Sequence, residues 1–190
     1  SWTLLLSPSV GLLNAVLKGF GHPLPIEIER KFLMMKRPDP DIFPVHTVPI
    51  EIRQAYLGDE HLTRIRSRAQ AGQGALYYRT QKFPTDSAMA EIEREYRISA
   101  PEYFEAFFNL RHPDHEEIVK IRYNFIWKNQ HFELDFFKSP WELKELTLLE
   151  AELLNENDPL EVPPWLGDFT EVTGDKKFKN LNLSRKRAAP

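Results

Sequence analysis

Ile26-Glu27-Ile28-Glu29-Arg30-Lys31-Phe32 alternates apolar and charged side chains. In an extended chain successive side chains point to opposite faces. Glu27, Glu29 and Lys31 therefore share one face and Ile26, Ile28 and Phe32 the other, with Arg30 the exception. A single strand of this kind is ordinarily a solvated sheet face, because exposed charges are commonplace. Its meaning depends on whether the same pattern recurs.

It recurs along most of the chain. Ile50 to Leu57 is a less regular strand, and Thr63 to Arg68 sets Arg64, Arg66 and Arg68 on one side with Ile65 opposite. Gly72 and Gly74 supply a hairpin turn before Ala75 to Lys82, where Tyr78, Thr80 and Lys82 share a face. Residues 91–98 set Glu91, Glu93 and Glu95 against Ile92, Tyr96 and Ile98. Ser99-Ala100-Pro101-Glu102 is a capping box with an early proline, and Tyr103, Phe104, Phe107, Phe108 and Arg111 follow at helical spacing, which predicts one amphipathic helix. Val119 to Trp127 places Lys120, Arg122 and Asn124 opposite five apolar or aromatic residues, and Lys128-Asn129-Gln130 turns the chain. His131 to Phe137 sets Glu133 and Asp135 against Phe132, Leu134 and Phe136, and Leu146 to Leu154 carries Glu150 and Glu152 opposite Leu149, Ala151 and Leu153.

The polar faces are sorted by sign. A flat sheet with one wet face would carry mixed, weakly patterned polar residues there. Closing the sheet into a barrel turns the apolar faces outward against helices and brings both signs around an interior. Buried charges cost several kcal/mol each, by order of magnitude, unless paired, so such an interior suits a polyanion with metal ions. The fold class is thus α+β, an eight-stranded antiparallel barrel with peripheral helices.

Composition bounds the alternatives. The chain has 190 residues, 42% apolar and 28% charged, which suits one soluble globular domain. Its 25 basic and 28 acidic residues leave a net charge of -3, so no global basic field argues for a nucleic-acid partner. The absence of cysteine excludes disulfides, thiolate metal sites and a cysteine nucleophile. No apolar run reaches the roughly 20 residues of a membrane helix, and a cytoplasmic location, peripheral to membranes at most, is expected. The opening Ser1-Trp2-Thr3 lacks an initiator methionine and a basic leader, and reads as a fragment of a longer protein. Residues 1–25 read as a lead-in helix and linker, 26–184 as the barrel domain, and 185–190 as a frayed basic tail.

The ordered series resembles the CYTH family, the triphosphate tunnel metalloenzymes. The stretches that carry the resemblance include Glu27-Ile28-Glu29-Arg30-Lys31-Phe32, Gln54-Ala55-Tyr56-Leu57, Arg64-Ile65-Arg66, Thr80-Gln81-Lys82, Glu93-Arg94-Glu95, Lys120-Ile121-Arg122-Tyr123, Glu133-Leu134-Asp135, Glu150-Ala151-Glu152 and Val172-Thr173-Gly174-Asp175. They follow the family order over residues 26–184. Two positions depart from the family pattern: Ala90, where many members carry arginine, and Phe178, where tyrosine is common. The Pro23-Leu24-Pro25 lead-in resembles the CYTH half of two-part proteins whose other half is a P-loop nucleotide-binding domain, as in the TRPL translocation defect group. The chain itself holds no G-x-x-x-x-G-K motif.

The resemblance implies a tunnel that binds a triphosphate-bearing small molecule with Mg2+ or Mn2+ and hydrolyses it. The alternative function is a nucleotide- or phosphoinositide-binding module beside a P-loop domain, with little turnover. The residue types suit either task. Carboxylates are hard ligands for magnesium or manganese, which nominates Glu27, Glu29, Glu150 and Glu152. Guanidinium forks and lysines match phosphate oxygens, which nominates Arg64, Arg66, Arg122, Lys31, Lys82, Lys120 and Lys176. Glu93, Glu95 and Lys31 are the expected catalytic groups, with Glu133 and Asp135 as further tunnel acids. Arg68 and Glu91 sit near strand ends, balanced between site and solvent, while Arg79 and Arg94 point outward. Phe104, Phe107, Phe108, Trp127 and Trp141 are expected to pack on the barrel. The six histidines show no zinc-helix spacing and receive no role.

Overall fold

Every alternating segment becomes a strand in the computed structural model, which describes residue 20 and residues 25–187. The strands are β1 (Ile26–Met34), β2 (Val48–Tyr56), β3 (Arg64–Gln70), β4 (Gly74–Pro84), β5 (Ala90–Ile98), β6 (Ile118–Trp127), β7 (Gln130–Ser139) and β8 (Thr147–Leu153). They run β5-β4-β3-β2-β6-β7-β8-β1, and β1 pairs again with β5, closing an eight-stranded antiparallel barrel. The closing seam is short, with Ile26, Glu27 and Ile28 opposite Ile92, Glu91 and Ala90. A ninth strand, β9 (Phe169–Glu171), lies along the second half of β1. Three residues are too few to show a period, so this strand is not legible from alternation. The lead-in helix and linker expected over residues 1–25 fall, apart from Phe20 and Pro25, outside the described residues. Among the described residues no helix is long and apolar enough to cross a membrane.

Local chemistry sets the connections. Lys128 and Asn129 both take positive φ, 46° and 62°, the signature of a two-residue hairpin whose twist matches its strands. Helix α1 (Ala100–Asn109) starts at the predicted capping box: Ser99 Oγ accepts from Glu102 N at 3.3 Å, and Glu102 Oε2 accepts from Ser99 N at 2.7 Å. A short second helix, α2 (Asn180–Leu183), follows near the C-terminus.

The outward apolar faces are covered in two ways. On one side Tyr103 and Ala106 of α1 bury Ala55, Leu57 and Ile65. On the other, irregular segments carrying Phe43, Val45, Leu160, Val162 and Trp165 cover Phe32, Phe125, Phe132, Leu134 and Leu149. Loops thus share the covering with the peripheral helix. One correction concerns aromatics. Phe108 and Trp141 are 73% and 71% exposed, whereas Phe104, 46% exposed, packs edge-on against Tyr77 of β4 at 5.7 Å. Helix α1 presents Tyr103 and Ala106 to the barrel, which leaves the i, i+4 pair Phe104 and Phe108 on the neighbouring stripe. Trp141 stands in a 3-10 turn whose buried member is Leu143.

The inward rows change character along the barrel. Ile118, Phe137 and Leu148 join Leu183 of α2 in an apolar cluster, with Leu33 and Phe178 packed against it. Polar residues line the remaining interior. The C-terminal segment is pinned where a frayed tail was expected: buried Ser184 Oγ lies 2.7 Å from His115 Nδ1, and Lys186 N donates to Asp114 O at 2.9 Å.

Candidate active site

The inward faces enclose a cavity of about 660 Å³. Glu27, Glu29 and Lys31 from β1, Arg64, Arg66 and Arg68 from β3, Thr80 and Lys82 from β4, and Glu91, Glu93 and Glu95 from β5 line it, with Arg122, Glu133, Glu150 and Glu152 opposite. Strand parity thus gathers residues scattered over more than a hundred positions of sequence. Glu91 and Arg68, balanced between site and solvent in the sequence, both line the cavity.

Three ion clusters organise the wall. In the first, Lys31 Nζ lies 2.8 Å from Glu150 Oε1 and 3.2 Å from Glu29 Oε1. Burial alone would lower the Lys31 pKa, but these two carboxylates raise it. In the second, Arg122 holds Asp135 through Nε and Nη2 at 2.6 and 2.7 Å, reaches Glu150 Oε2 at 2.9 Å, and bonds Glu133 through Nη1. Lys120 Nζ joins Asp135 Oδ2 at 2.5 Å, with both side chains wholly buried. Burial brings Lys120 down to about 8, against the opposing pull of Asp135. Burial would raise Asp135, yet Arg122 and Lys120 hold it below its ordinary value. In the third, Lys82 bonds Glu27 and lies 2.9 Å from Glu93 Oε2, while Lys179 Nζ holds Glu91 Oε1 at 2.6 Å. Burial pushes Glu27 up to about 7, aided by Glu93 and Glu29 and opposed by Lys82. Glu93 is likewise pushed up by burial, but Lys82 and Arg64 bring it down to about 2.

Arg66 differs from every other buried cation here. It is 6% exposed, and among the described residues no carboxylate lies within ion-pair distance of it. Its Nε has no hydrogen-bond partner among the described residues. Burial, then Arg64, Arg122 and Arg68, bring its pKa down to about 10. Opposite it across the β2–β3 ladder, the fully buried amide of Gln54 also has no partner among the described residues for its nitrogen or its oxygen. Buried polar groups normally find partners.

The acids test whether a metal ion fits. Glu29 lies opposite Glu152 on adjacent strands. Glu152 is raised by burial and by neighbouring Glu133 and Glu93, so negative charge is in excess at that rim. Hard carboxylate oxygens in excess suit a divalent cation. As they stand, no three such groups among the described residues are close enough to hold one, because Lys82 engages Glu27, while Lys31 and Arg122 engage Glu150.

No family model matches the chain. A relative from Nitrosomonas europaea, an inorganic triphosphatase, is 35% identical over 166 residues, covering 83% of this chain and 96% of the relative. The chain belongs to the CYTH family. Two solved crystal structures resemble it at 30% and 31% identity, the second described as an inorganic triphosphatase. Their TM-scores are 0.53 and 0.51, and each match covers 83% of this chain, with 96% and 93% of the other.

Against the site expected of a CYTH tunnel, three residues move. Lys120 and Asp135 do not line the cavity; they are sealed beneath it in the Arg122 cluster, because the apolar plug of Ile118 and Phe137 fills that end of the barrel. Lys176 lies in an exposed 3-10 turn (Lys176–Phe178), whereas Lys179, one turn later, reaches the cavity. The run Lys176-Lys177-Phe178-Lys179 offers three candidates, and only the turn decides among them. Gln54 was also missed as a site neighbour. Its signal was a polar side chain on the row shared with Ile52 and Tyr56.

Proposed function

We propose that this CYTH chain is a divalent-metal-dependent hydrolase of triphosphates. The reaction adds water to the terminal phosphorus and breaks the bridging P–O bond, giving diphosphate, phosphate and a proton released to solvent. The observation that carries the reading is Arg66: buried, charged and without a counter-ion among the described residues. The activity printed for the Nitrosomonas relative supports it.

Each group follows from its surroundings. Arg64, Arg66 and Lys82 grip phosphate oxygens by charge-assisted hydrogen bonds, and Lys31 neutralises Glu29 and Glu150 until a cation takes its place beside Glu150. Glu27, Glu29, Glu150 and Glu152 would hold Mg2+ or Mn2+, with Glu27 and Glu150 first leaving their lysine and arginine partners. When bound, the cation neutralises charge developing on the phosphate oxygens. Glu93, at about 2, is ionised at neutral pH, so it orients the attacking water as an acceptor. Glu95 receives the Thr80 hydroxyl at 2.8 Å and stands 3.6 Å from Arg64 Nη2, which aims that guanidinium into the cavity.

Phosphate release from tripolyphosphate, ATP, GTP and thiamine triphosphate, with magnesium, manganese or chelator, tests the proposal. A single oriented charge is worth about 3 kcal/mol in such transition states, so Glu27→Ala is expected to lower turnover on the order of a hundredfold with the fold intact. Near-normal turnover at saturating magnesium would refute the assignment. The alternative module, holding a nucleotide or phosphoinositide headgroup beside a P-loop domain, predicts tight binding without phosphate release in the same assay.

A further inference from the structure

Strand register explains why Arg66 has no counter-ion among the described residues. On the barrel ladders Lys31 faces Glu150, Lys82 faces Glu93 and Arg122 faces Asp135, each directly opposite on the adjoining strand. Arg64 faces Thr80, and Glu95 stands one strand further along the same row. Arg66 faces Gln54 on one side and Tyr78 on the other. Followed further, its row continues to Ile118 on β6 and to Arg97 on β5. That row carries no acid.

Gln54 occupies the place where the other cations meet a carboxylate. It is fully buried, and its amide nitrogen and oxygen have no hydrogen-bond partner among the described residues. A buried amide left without partners costs free energy that an apolar side chain of similar size would not, so packing alone does not account for the residue. Glutamate has the same length and differs in placing an oxygen where glutamine has its nitrogen. Set opposite Arg66, it would hold the guanidinium in a charge-assisted pair with the wall. Glutamine offers an acceptor there without the charge. Directly opposed side chains on neighbouring strands have Cβ atoms about 4.5–5.5 Å apart, close enough for the Gln54 amide to serve Arg66 Nε, the buried donor that has no partner among the described residues. Arg66 lines the cavity and Gln54 does not, so Gln54 acts through Arg66.

We infer that Gln54 is a positioning residue for phosphate binding: its neutrality leaves the Arg66 charge to the ligand, and its carbonyl oxygen steadies Nε while the outer guanidinium nitrogens take phosphate oxygens. The inference rests on the triphosphate reading above and assigns the groups that keep its central cation available.

Calorimetry of the whole chain with tripolyphosphate in magnesium at neutral pH, run beside phosphate release and urea unfolding, tests it on three variants. Gln54→Glu is expected to fold and to bind tripolyphosphate about tenfold more weakly or worse, as the loss of a hydrogen bond to a charged group would. Gln54→Met, neutral and of similar size, is expected to lose only about threefold. In an Arg66→Met background Gln54→Glu has no guanidinium to cancel, so the two losses are expected to fall well short of adding. Wild-type affinity in Gln54→Glu overturns the inference, as do losses that add in full. A Gln54→Met chain that binds as weakly as Gln54→Glu would assign the residue to packing and overturn it too. So would a Gln54→Glu chain that does not fold, because its carboxylate would then be meeting no uncompensated cation. The expected affinity ratios without phosphate release would refute the hydrolase reading and keep the role of Gln54. Normal release with unmoved ratios would do the opposite.

Discussion

Arg66→Met should make the ligand-free protein more stable and the protein a poorer binder. Arg66 is buried without a counter-ion among the described residues, and burial followed by Arg64, Arg122 and Arg68 brings it down to about 10. That is more than two pH units below an ordinary guanidinium, and at about 1.4 kcal/mol apiece the charge costs the empty fold about 3 kcal/mol. The sign is fixed by linkage. A base whose folded pKa is depressed carries its full cost at every pH below that value, and the cost fades only as pH rises past about 10. At neutral pH the whole cost applies. Methionine fills similar space without charge, so the free energy of urea unfolding is expected to rise by about 1–3 kcal/mol. A hydrogen bond to a charged group is worth about 1.5–3 kcal/mol, so tripolyphosphate affinity is expected to fall between about tenfold and a hundredfold. Urea unfolding with and without a fixed excess of tripolyphosphate measures both effects, since a ligand stabilises the state it binds by RT times the logarithm of one plus its concentration divided by its Kd. A variant less stable than wild type when empty, with an unchanged denaturant slope, would refute the reasoning. So would one that tripolyphosphate stabilises as strongly as wild type.

Three further outcomes follow from the same geometry. Glu27 rises from 4.5 to about 7, so the folded state keeps a proton that the unfolded chain releases. Stability of the ligand-free protein in chelator should therefore fall as pH climbs from 4.5 to about 7, and Glu27→Gln should flatten that segment; an unchanged slope counts against the assignment. Arg37 donates to the carbonyls of Phe137, Lys144 and Leu146 at 3.3, 2.6 and 3.2 Å and to Thr147 Oγ1 at 3.2 Å, fastening the β7–β8 connection. Arg37→Ala is expected to lower unfolding free energy by about 1–3 kcal/mol, read by denaturant titration. Phe132, wholly buried and stacked on Phe125 at 5.4 Å, should cost about 3–5 kcal/mol as Phe132→Ala, and thermal unfolding would expose a smaller effect.

Much of the barrel was legible because period-two alternation is a local property. Glu27 and Glu29 declare their face through Ile26 and Ile28, and the same logic holds for Arg64 and Arg66 around Ile65. The capping box at Ser99 was equally local, since its two hydrogen bonds span three residues. Where the reading failed, the deciding contacts were distant in sequence. Lys120 and Asp135 share the parity of Arg122 and Glu133, yet the depth of the apolar plug along the barrel, set partly by Leu183, removes them from the cavity. Lys176 and Lys179 are separated by a single turn, and the docking of that turn on the barrel selects Lys179. Leu62 and His61 carry no pattern, and they line the cavity because Asp59 and Phe83 hold their loop over it.

The sequence by itself determined which side chains face inward, since alternation follows from the geometry of an extended backbone and needs no knowledge of neighbours. Tertiary structure decided which of those inward charges neutralise one another. Among the described residues Arg122 meets three carboxylates and Arg66 meets none, although both lie on the same kind of row. Pairing depends on strand register and on stagger around the closed barrel, and Coulomb energy falls off over a few ångströms. Residues remote in sequence therefore set where the uncompensated positive charge is left.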